Sequence, residues 1–150
     1  GSYSVVASQN RSDLQKGLSQ PSYYIADTIG EVDVLLDENA EWRDRLIESH
    51  PEVCFRGLLG RELTHSKHCG PGVGERIQAL TTVRNSPGEL IESVSTDLIG
   101  TSDAISFDDV LDATVLGVVS TYPREQLQFI PSTWETDPQG LPMRMAFKEV

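Results

Sequence analysis

The chain has 150 residues, of which 38% are hydrophobic and 23% are charged, a balance typical of a soluble globular domain rather than a disordered one. Its net charge of −11 argues against a general nucleic-acid-binding surface, although the 12 Lys and Arg residues leave room for a local basic cluster. No apolar run approaches the roughly 20 residues of a membrane span, no secretory signal opens the chain, and two cysteines are too few for a disulfide framework, so we expect a reduced, cytoplasmic protein.

The first third of the chain predicts one helix between two short strands. Residues 4–8, "SVVAS", are predicted to form a short strand. Helical spacing of apolar residues predicts a helix over residues 22–37, with the recurring positions Ile25, Ile29, Val32, Leu35 and Leu36. Residues 45–49, "RLIES", are a second strand candidate, which Pro51 stops.

The middle of the chain predicts two helices separated by a loop. Residues 51–59, "PEVCFRGLL", begin a helical turn with Pro at its head. Residues 65–74, "HSKHCGPGVG", are rich in Gly and His and are predicted to form a loop. After this segment Ile77, Leu80 and Val83 recur at helical spacing, and "NSPG" closes the helix that they predict.

The last third predicts two helices followed by extended segments. Residues 88–100 favour a helix that ends at Gly100, and residues 106–121 favour the next helix. Residues 126–132, "QLQFIPS", look extended, and residues 140–150 alternate as a half-buried strand does. Helices interleaved with so few strands predict an α/β fold, with a small sheet flanked by helices in a single domain.

Three aspartates stand at the head of the apolar helix predicted over residues 106–121. Ser106 and Asp109 have the spacing of a capping box, and acids in a first turn favour the positive end of the helix dipole. That explains Asp108 and Asp109 but not Asp112, which lies in the second turn on the same face as both. Carboxylates stacked in this way repel each other unless a positive charge lies between them, and a divalent cation is the usual solution. Capping and metal binding therefore both remain open.

Two polar residues flank the predicted strand over residues 45–49. Glu48 lies at its end, where an unpaired buried carboxylate would be costly. His50 follows, next to Pro51 and Glu52. A lone histidine is more often a hydrogen-bonded structural side chain than a ligand, and the residues alone favour that interpretation of His50.

The segment of residues 65–76 has no zinc or nucleotide signature. His65, His68 and Cys69 lack a second pair of ligands at zinc spacing, and the glycines do not follow a strand in the phosphate-loop pattern. What remains is a small basic island in an acidic protein, formed by Lys67, Arg76 and Arg84. This island is either a surface patch without a role or a site that holds an anionic substrate.

Four blocks of the chain resemble successive blocks of the domain of unknown function 429 family, whose members are described as predicted nucleases with a ribonuclease H-like fold. The likeness covers most of the chain, and the His-Pro-Glu block with the Ser-Lys and Gly-x-x-Glu-Arg that follow is its most specific part. The blocks read "KGLSQPSYYIADTIGEVDVLL", "IESHPEVCFRGLLGRELTHSKHCGPGVGER", "FDDVLDA" and "GLPMRMAF". The resemblance implies a ribonuclease H-like fold, of which this chain is expected to be the C-terminal portion.

The resemblance also implies a metal site. Holliday-junction resolvases of the same fold superfamily carry a Glu at the end of the fourth strand, which Glu48 matches, and an Asp-x-x-Asp-Ala on the last helix, which Asp109 and Asp112 match. These three residues are the implied catalytic carboxylates, and Asp108 is a further implied ligand of two Mg²⁺ or Mn²⁺ ions. The implied substrate-binding residues are His50, Lys67 and Arg76.

The expected function is therefore metal-dependent hydrolysis of nucleic-acid phosphodiesters, with DNA and RNA both open as substrates. The first strand of the fold carries another metal-binding Asp, which nothing before Glu48 matches, so we expect little turnover. We expect Glu48 to lie close to Asp112, Lys67 and Arg76 to lie near the acids, and the exposed sheet edge to be covered by self-association. The alternative is a non-catalytic protein-interaction domain that retains the fold.

Overall fold

The computed structural model describes residues 2–101 and 104–150, and the chain separates into two compact units. One unit extends to Leu46, and the other begins at Ile47. The sequence predicts a single domain over residues 1–150, and the division into two units does not test this prediction. Within the described residues, no helix has the length and apolar character needed to cross a membrane.

The N-terminal unit begins with a helix where the sequence predicts a strand. Helix α1 (Tyr3–Leu14) includes residues 4–8, so the predicted strand is wrong. A strand needs a neighbouring chain segment to satisfy its backbone, whereas a helix satisfies its own N–H and C=O groups internally. Val5 is exposed in α1, which shows that this short apolar run does not indicate a buried element.

The helix predicted over residues 22–37 forms as two helices. Helix α2 (Gln20–Tyr24) begins at the N-cap Ser19, whose side chain accepts a hydrogen bond from the Ser22 N–H. Helix α3 (Ala26–Glu38) follows directly and buries Leu36. A short 3₁₀ helix (Ala40–Trp42) completes this unit.

In its described residues, the C-terminal unit has four α-helices around one apolar core. Helix α4 (Pro51–Leu59) contacts both α5 (Gly70–Thr81) and α7 (Phe107–Ser120), and α6 (Pro87–Asp97) contacts α5 and α7. The helices predicted after Pro51, around Leu80 and over residues 88–100 and 106–121 are confirmed. The buried core residues are Cys54, Phe55, Leu58, Ala79, Leu80, Ile91, Val110, Leu111, Val115, Val118 and Val119.

A small antiparallel sheet packs against this helical core. Strand β1 (Gln128–Ile130) pairs with β2 (Met145–Phe147), and the register places Phe129 opposite the buried Ala146. The strand predicted over residues 45–49 is reduced to one parallel bridge between Ser49 and Ala146. A 3₁₀ turn (Arg124–Gln126) leads into β1. The described residues thus form a helix-dominated mixed fold with a two-stranded sheet.

Helix α5 begins inside the segment predicted as a loop. Residues 70–74 are helical because Pro71 fits a first turn, where its missing N–H is not needed. Gly72 is required by packing: a Cβ at this position would collide with the Ser66 carbonyl group. The glycine-rich sequence therefore allows the loop that carries Lys67 to lie directly against the start of α5.

Replacing Gly72 with Ala tests this close approach. We expect Gly72→Ala to lower the free energy of unfolding by about 1–3 kcal/mol, because backbone must shift to admit the methyl group. Gly74→Ala is the matched control, since a Cβ there meets open space, and it should raise stability by about 0.5–1 kcal/mol. Urea unfolding measures both. Equal effects of the two substitutions would contradict the close packing of this loop.

Candidate functional site

The first turn of α7 contains the capping box that the sequence predicts. The Ser106 Oγ accepts a hydrogen bond from the Asp109 N–H at 3.4 Å, and the Asp109 Oδ2 accepts one from the Ser106 N–H at 2.8 Å. The hydroxyl of Ser106 also lies 2.6 Å from this Asp109 oxygen. These contacts hold the pKa of the Asp109 carboxyl below its ordinary value. The carboxylate of Asp109 is thus oriented by the helix terminus.

The other two aspartates of α7 converge on Lys67. The Lys67 Nζ lies 2.8 Å from the Asp112 Oδ2 and 3.0 Å from the Asp108 Oδ2. The bonds to Asp112 and then Asp108 raise the pKa of Lys67, so the ammonium form is retained. Hydrogen bonding by Ser106 and then Lys67 lowers the pKa of Asp108 to about 2. An ammonium group therefore occupies the place between the carboxylates at which a cation is expected.

One oxygen of this cluster has no partner within the described residues. The Asp112 Oδ1 is buried and accepts no hydrogen bond, whereas its Oδ2 binds Lys67. Leaving a buried carboxylate oxygen without a donor is costly, and such atoms are rare in folded proteins. The arrangement leaves one acceptor of Asp112 available to a cation or to a further donor.

The buried Arg76 forms an ion pair with Glu52, whose side chain is 37% exposed. Its Nη2 lies 2.6 Å from the Glu52 Oε2, and its Nε donates to the Oε1 at 3.0 Å. The Arg76 Nη1 donates to the Gly72 carbonyl at 2.8 Å and to the His65 carbonyl at 3.4 Å. Only 2% of Arg76 is exposed. Through these bonds its guanidinium links the start of α4 to α5 and to the loop before α5.

Glu75 organises the same loop, and sequence reasoning missed it. Its carboxylate accepts hydrogen bonds from the Arg61 Nη1 at 2.9 Å, from the N–H and hydroxyl of Thr64, and from the His65 N–H at 2.9 Å. These partners, Arg61 first, hold the pKa of Glu75 well below its usual range. Glu75 and Arg76 lie on the buried face of α5, together with Gly72, Ala79 and Leu80. Charged residues at such a helical spacing indicate charges that need partners inside the protein.

The remaining candidates lie at the start of α4. The Nδ1 of His50 accepts a hydrogen bond from the Glu52 N–H at 3.3 Å, so His50 is the N-cap of α4. The Glu48 carbonyl accepts from the Ala146 N–H at 2.8 Å, and its exposed side chain bonds to no described residue. In the described part of the chain, no three or more His, Cys, Asp or Glu side chains are grouped to hold a metal. The structure thus brings Asp108 and Asp112 together at Lys67. Among the described residues, neither Glu48 nor Asp109 joins them in a group of three carboxylates that could hold a metal.

The structure defines a helix-dominated protein in which a network of ion pairs attaches a loop to the head of α7. The chain belongs to the family described as "Protein of unknown function (DUF429)", whose family model matches residues 1–136. Comparisons with curated proteins and with solved structures give no significant match.

The lowered pKa of Asp108 predicts how this cluster responds to pH. A carboxyl whose pKa falls from its ordinary 3.8 to about 2 on folding contributes stability that is complete above pH 3.8 and is lost as the pH falls toward 2. Carbon-13 NMR titration of the Asp108 carboxyl should show the low pKa, and Lys67→Met should raise it. Lys148→Met, which removes a charge elsewhere, is the control. An Asp108 titration near its ordinary pKa in the wild type would contradict the pairing.

Removing the charge of Glu52 tests its ion pair with the buried Arg76. Glu52→Gln leaves the Arg76 guanidinium buried without a counter-ion, and we expect a loss of roughly 2–3 kcal/mol in the free energy of unfolding. Glu62→Gln is the matched control, because Glu62 lies on the surface and forms no ion pair with a described residue. Denaturant unfolding of both variants measures the difference, and a difference near zero would show that the pair does not hold the loop.

Proposed function

We propose that this protein is a divalent-metal-dependent hydrolase of nucleic-acid phosphodiesters, with Asp108 and Asp112 as metal ligands. The observation that carries the proposal is the buried, unpartnered Asp112 Oδ1 beside two carboxylate oxygens that already converge on one cation. The proposal includes the ribonuclease H-like fold and the cytoplasmic location expected from the sequence. Both acids lie in the Asp-Asp-x-x-Asp-Ala block that supports the resemblance.

The donor set fits Mg²⁺ or Mn²⁺, because hard cations prefer carboxylate oxygens and Asp112 has one buried oxygen free. Such a metal, when bound, activates water and stabilises the leaving oxygen of a phosphodiester. Asp109 is held by Ser106, and this orients its carboxylate without adding it to the pair. Glu48 remains the predicted further ligand, and its exposed carboxylate is open to solvent.

Lys67 has two consistent roles in this proposal. Without a metal its ammonium neutralises Asp108 and Asp112, which would otherwise repel each other. Because a metal would neutralise the same oxygens, Lys67 and the metal compete for them. A displaced ammonium would remain beside the acids, where it can hold a phosphate oxygen. Arg76, by contrast, is paired with Glu52, so its implied contact with substrate requires that ion pair to open.

Mn²⁺ titration of four matched proteins tests the ligand set. We expect weak binding by the wild type and at least tenfold weaker binding by Asp112→Asn, which removes a ligand charge. Lys67→Met should bind Mn²⁺ more tightly than the wild type, since the competing ammonium is gone. Asp109→Asn serves as the control on the same helix and should bind as the wild type does. Isothermal titration calorimetry measures the affinities.

Two outcomes would overturn the assignment. Equal Mn²⁺ affinity of the wild type and Asp112→Asn would show that Asp112 does not bind the metal and that the aspartates serve only in capping and ion pairing. A loss of Mn²⁺ affinity confined to Asp109→Asn would assign the metal to the Asp109 carboxylate instead.

Cleavage is then assayed with single-stranded, duplex and branched substrates in Mn²⁺, where we expect slow turnover by the wild type and none by Asp112→Asn.

A non-catalytic interaction domain is the second candidate, and one observation favours it. The charged residues of the most specific sequence block have internal partners: Lys67 binds the α7 acids, Glu75 binds Arg61, and Arg76 binds Glu52. A block with this pattern can serve stability alone. Absence of Mn²⁺ binding in both the wild type and Lys67→Met, with normal unfolding of the wild type, would support this second function.

A further inference from the structure

The hairpin formed by β1 and β2 carries an arginine between two aromatic rings. The Arg144 Cζ lies 3.9 Å from the centre of the Phe129 ring and 3.6 Å from the centre of the Trp134 ring. The two ring centres are 6.4 Å apart with planes inclined by 43°. Phe129 is fixed opposite Ala146 by the strand register, so the hairpin itself sets the position of this stack. Cation–π contacts of this kind orient a guanidinium.

The side-chain hydrogen-bonding groups of Arg144 have no partner among the described residues. Its side chain forms no ion pair or hydrogen bond there, whereas Arg43, Arg61 and Arg76 each bind a carboxylate. This is unexpected in a chain with 23 acidic residues and 12 basic ones. A guanidinium held by its faces keeps its N–H groups at the edge, in the planar fork that binds phosphate with two parallel bonds.

Trp134 adds a second recognition element beside this fork. The guanidinium covers part of the indole, yet 45% of Trp134 remains exposed. An exposed aromatic ring beside a phosphate-binding cation is the combination by which proteins hold unpaired nucleotides, because every base can stack on such a ring. A base in a duplex is already stacked and cannot use this surface.

We propose that Arg144 and Trp134 form a binding site for single-stranded nucleic acid, in which the Arg144 guanidinium holds a backbone phosphate and a base stacks on Trp134. This inference rests on the proposed function and names its substrate class. The site lies on the hairpin, and Arg144 is separated in sequence from both Lys67 and α7. Binding here requires no metal, so the two proposals can fail independently.

The sequence supplies a direct reporter for the test. The chain contains two tryptophans, and Trp42→Phe leaves Trp134 as the single indole. Oligothymidylate and oligouridylate of about ten nucleotides are titrated into this protein in EDTA at low salt. We expect saturable quenching of Trp134 fluorescence by both oligonucleotides, and none by inorganic phosphate at the same concentration of phosphate groups. Quenching by phosphate alone to the same extent would show an anion site without base stacking and would overturn the proposal.

Substitution of the arginine separates recognition from general charge. Arg144→Gln should weaken binding about tenfold and lower the slope of log affinity against log salt by about 0.7, the value for one phosphate contact on a single strand. Arg56→Gln removes the same charge from the exposed surface of α4 and should change neither quantity appreciably. Equal binding by these two variants would overturn the proposal.

A second pair of variants covers the case in which loss of Arg144 disturbs the hairpin. Trp134→Phe keeps an aromatic ring and Trp134→Leu does not, so anisotropy of a labelled oligonucleotide should show a larger loss for Leu than for Phe. Equal affinities of these variants and the wild type would contradict stacking. If the oligonucleotide binds through Arg144 and the protein binds no Mn²⁺, the single-strand site stands and the hydrolase proposal is rejected. If the protein binds Mn²⁺ and oligonucleotide binding does not depend on Arg144, only the single-strand site is rejected.

Discussion

The buried guanidinium of Arg76 is the constraint on which the C-terminal unit depends. A charge with 2% of its surface exposed must find acceptors inside the protein. It finds them on the Glu52 carboxylate and on two backbone carbonyls, of Gly72 and His65. These acceptors belong to α4, to α5 and to the loop before α5, so a single side chain fixes three segments together. The requirement for Gly72 follows from this, since the loop must approach the helix closely.

The fixed loop determines the ion pairs that form at the head of α7. Lys67 lies two residues after His65, whose carbonyl Arg76 holds, and this places its ammonium between Asp108 and Asp112. The same geometry stabilises the loop and is the basis of the proposed metal site, in which a metal ion would replace the Lys67 ammonium. The proposal rests on the Asp112 Oδ1, which has no hydrogen-bond partner among the described residues.

The sequence predicts the elements that carry their own periodic or capping signal. The apolar spacing of residues 106–121 and the Ser106 capping box identify α7 correctly, because both signals are local. Residues 4–8 and 70–74 were predicted wrongly, since short composition signals do not report tertiary packing against a neighbour. The spacing of Asp108 and Asp112 left capping and a divalent cation both open, and it could not indicate the ion pair with Lys67, which is 45 residues from Asp112.

The described structure separates two kinds of cationic residue in an acidic protein. Lys67 and Arg76 are neutralised internally, and their positions depend on the carboxylates that they bind. Arg144 is held instead by cation–π contacts with the faces of two rings, which use its charge but leave its side-chain N–H groups without a partner among the described residues. Repulsion by the net charge of −11 opposes any polyanion, so a contact must be short-ranged and well oriented to be effective. The two rings orient Arg144 in this way, and on this basis we propose it as a local site for a phosphate.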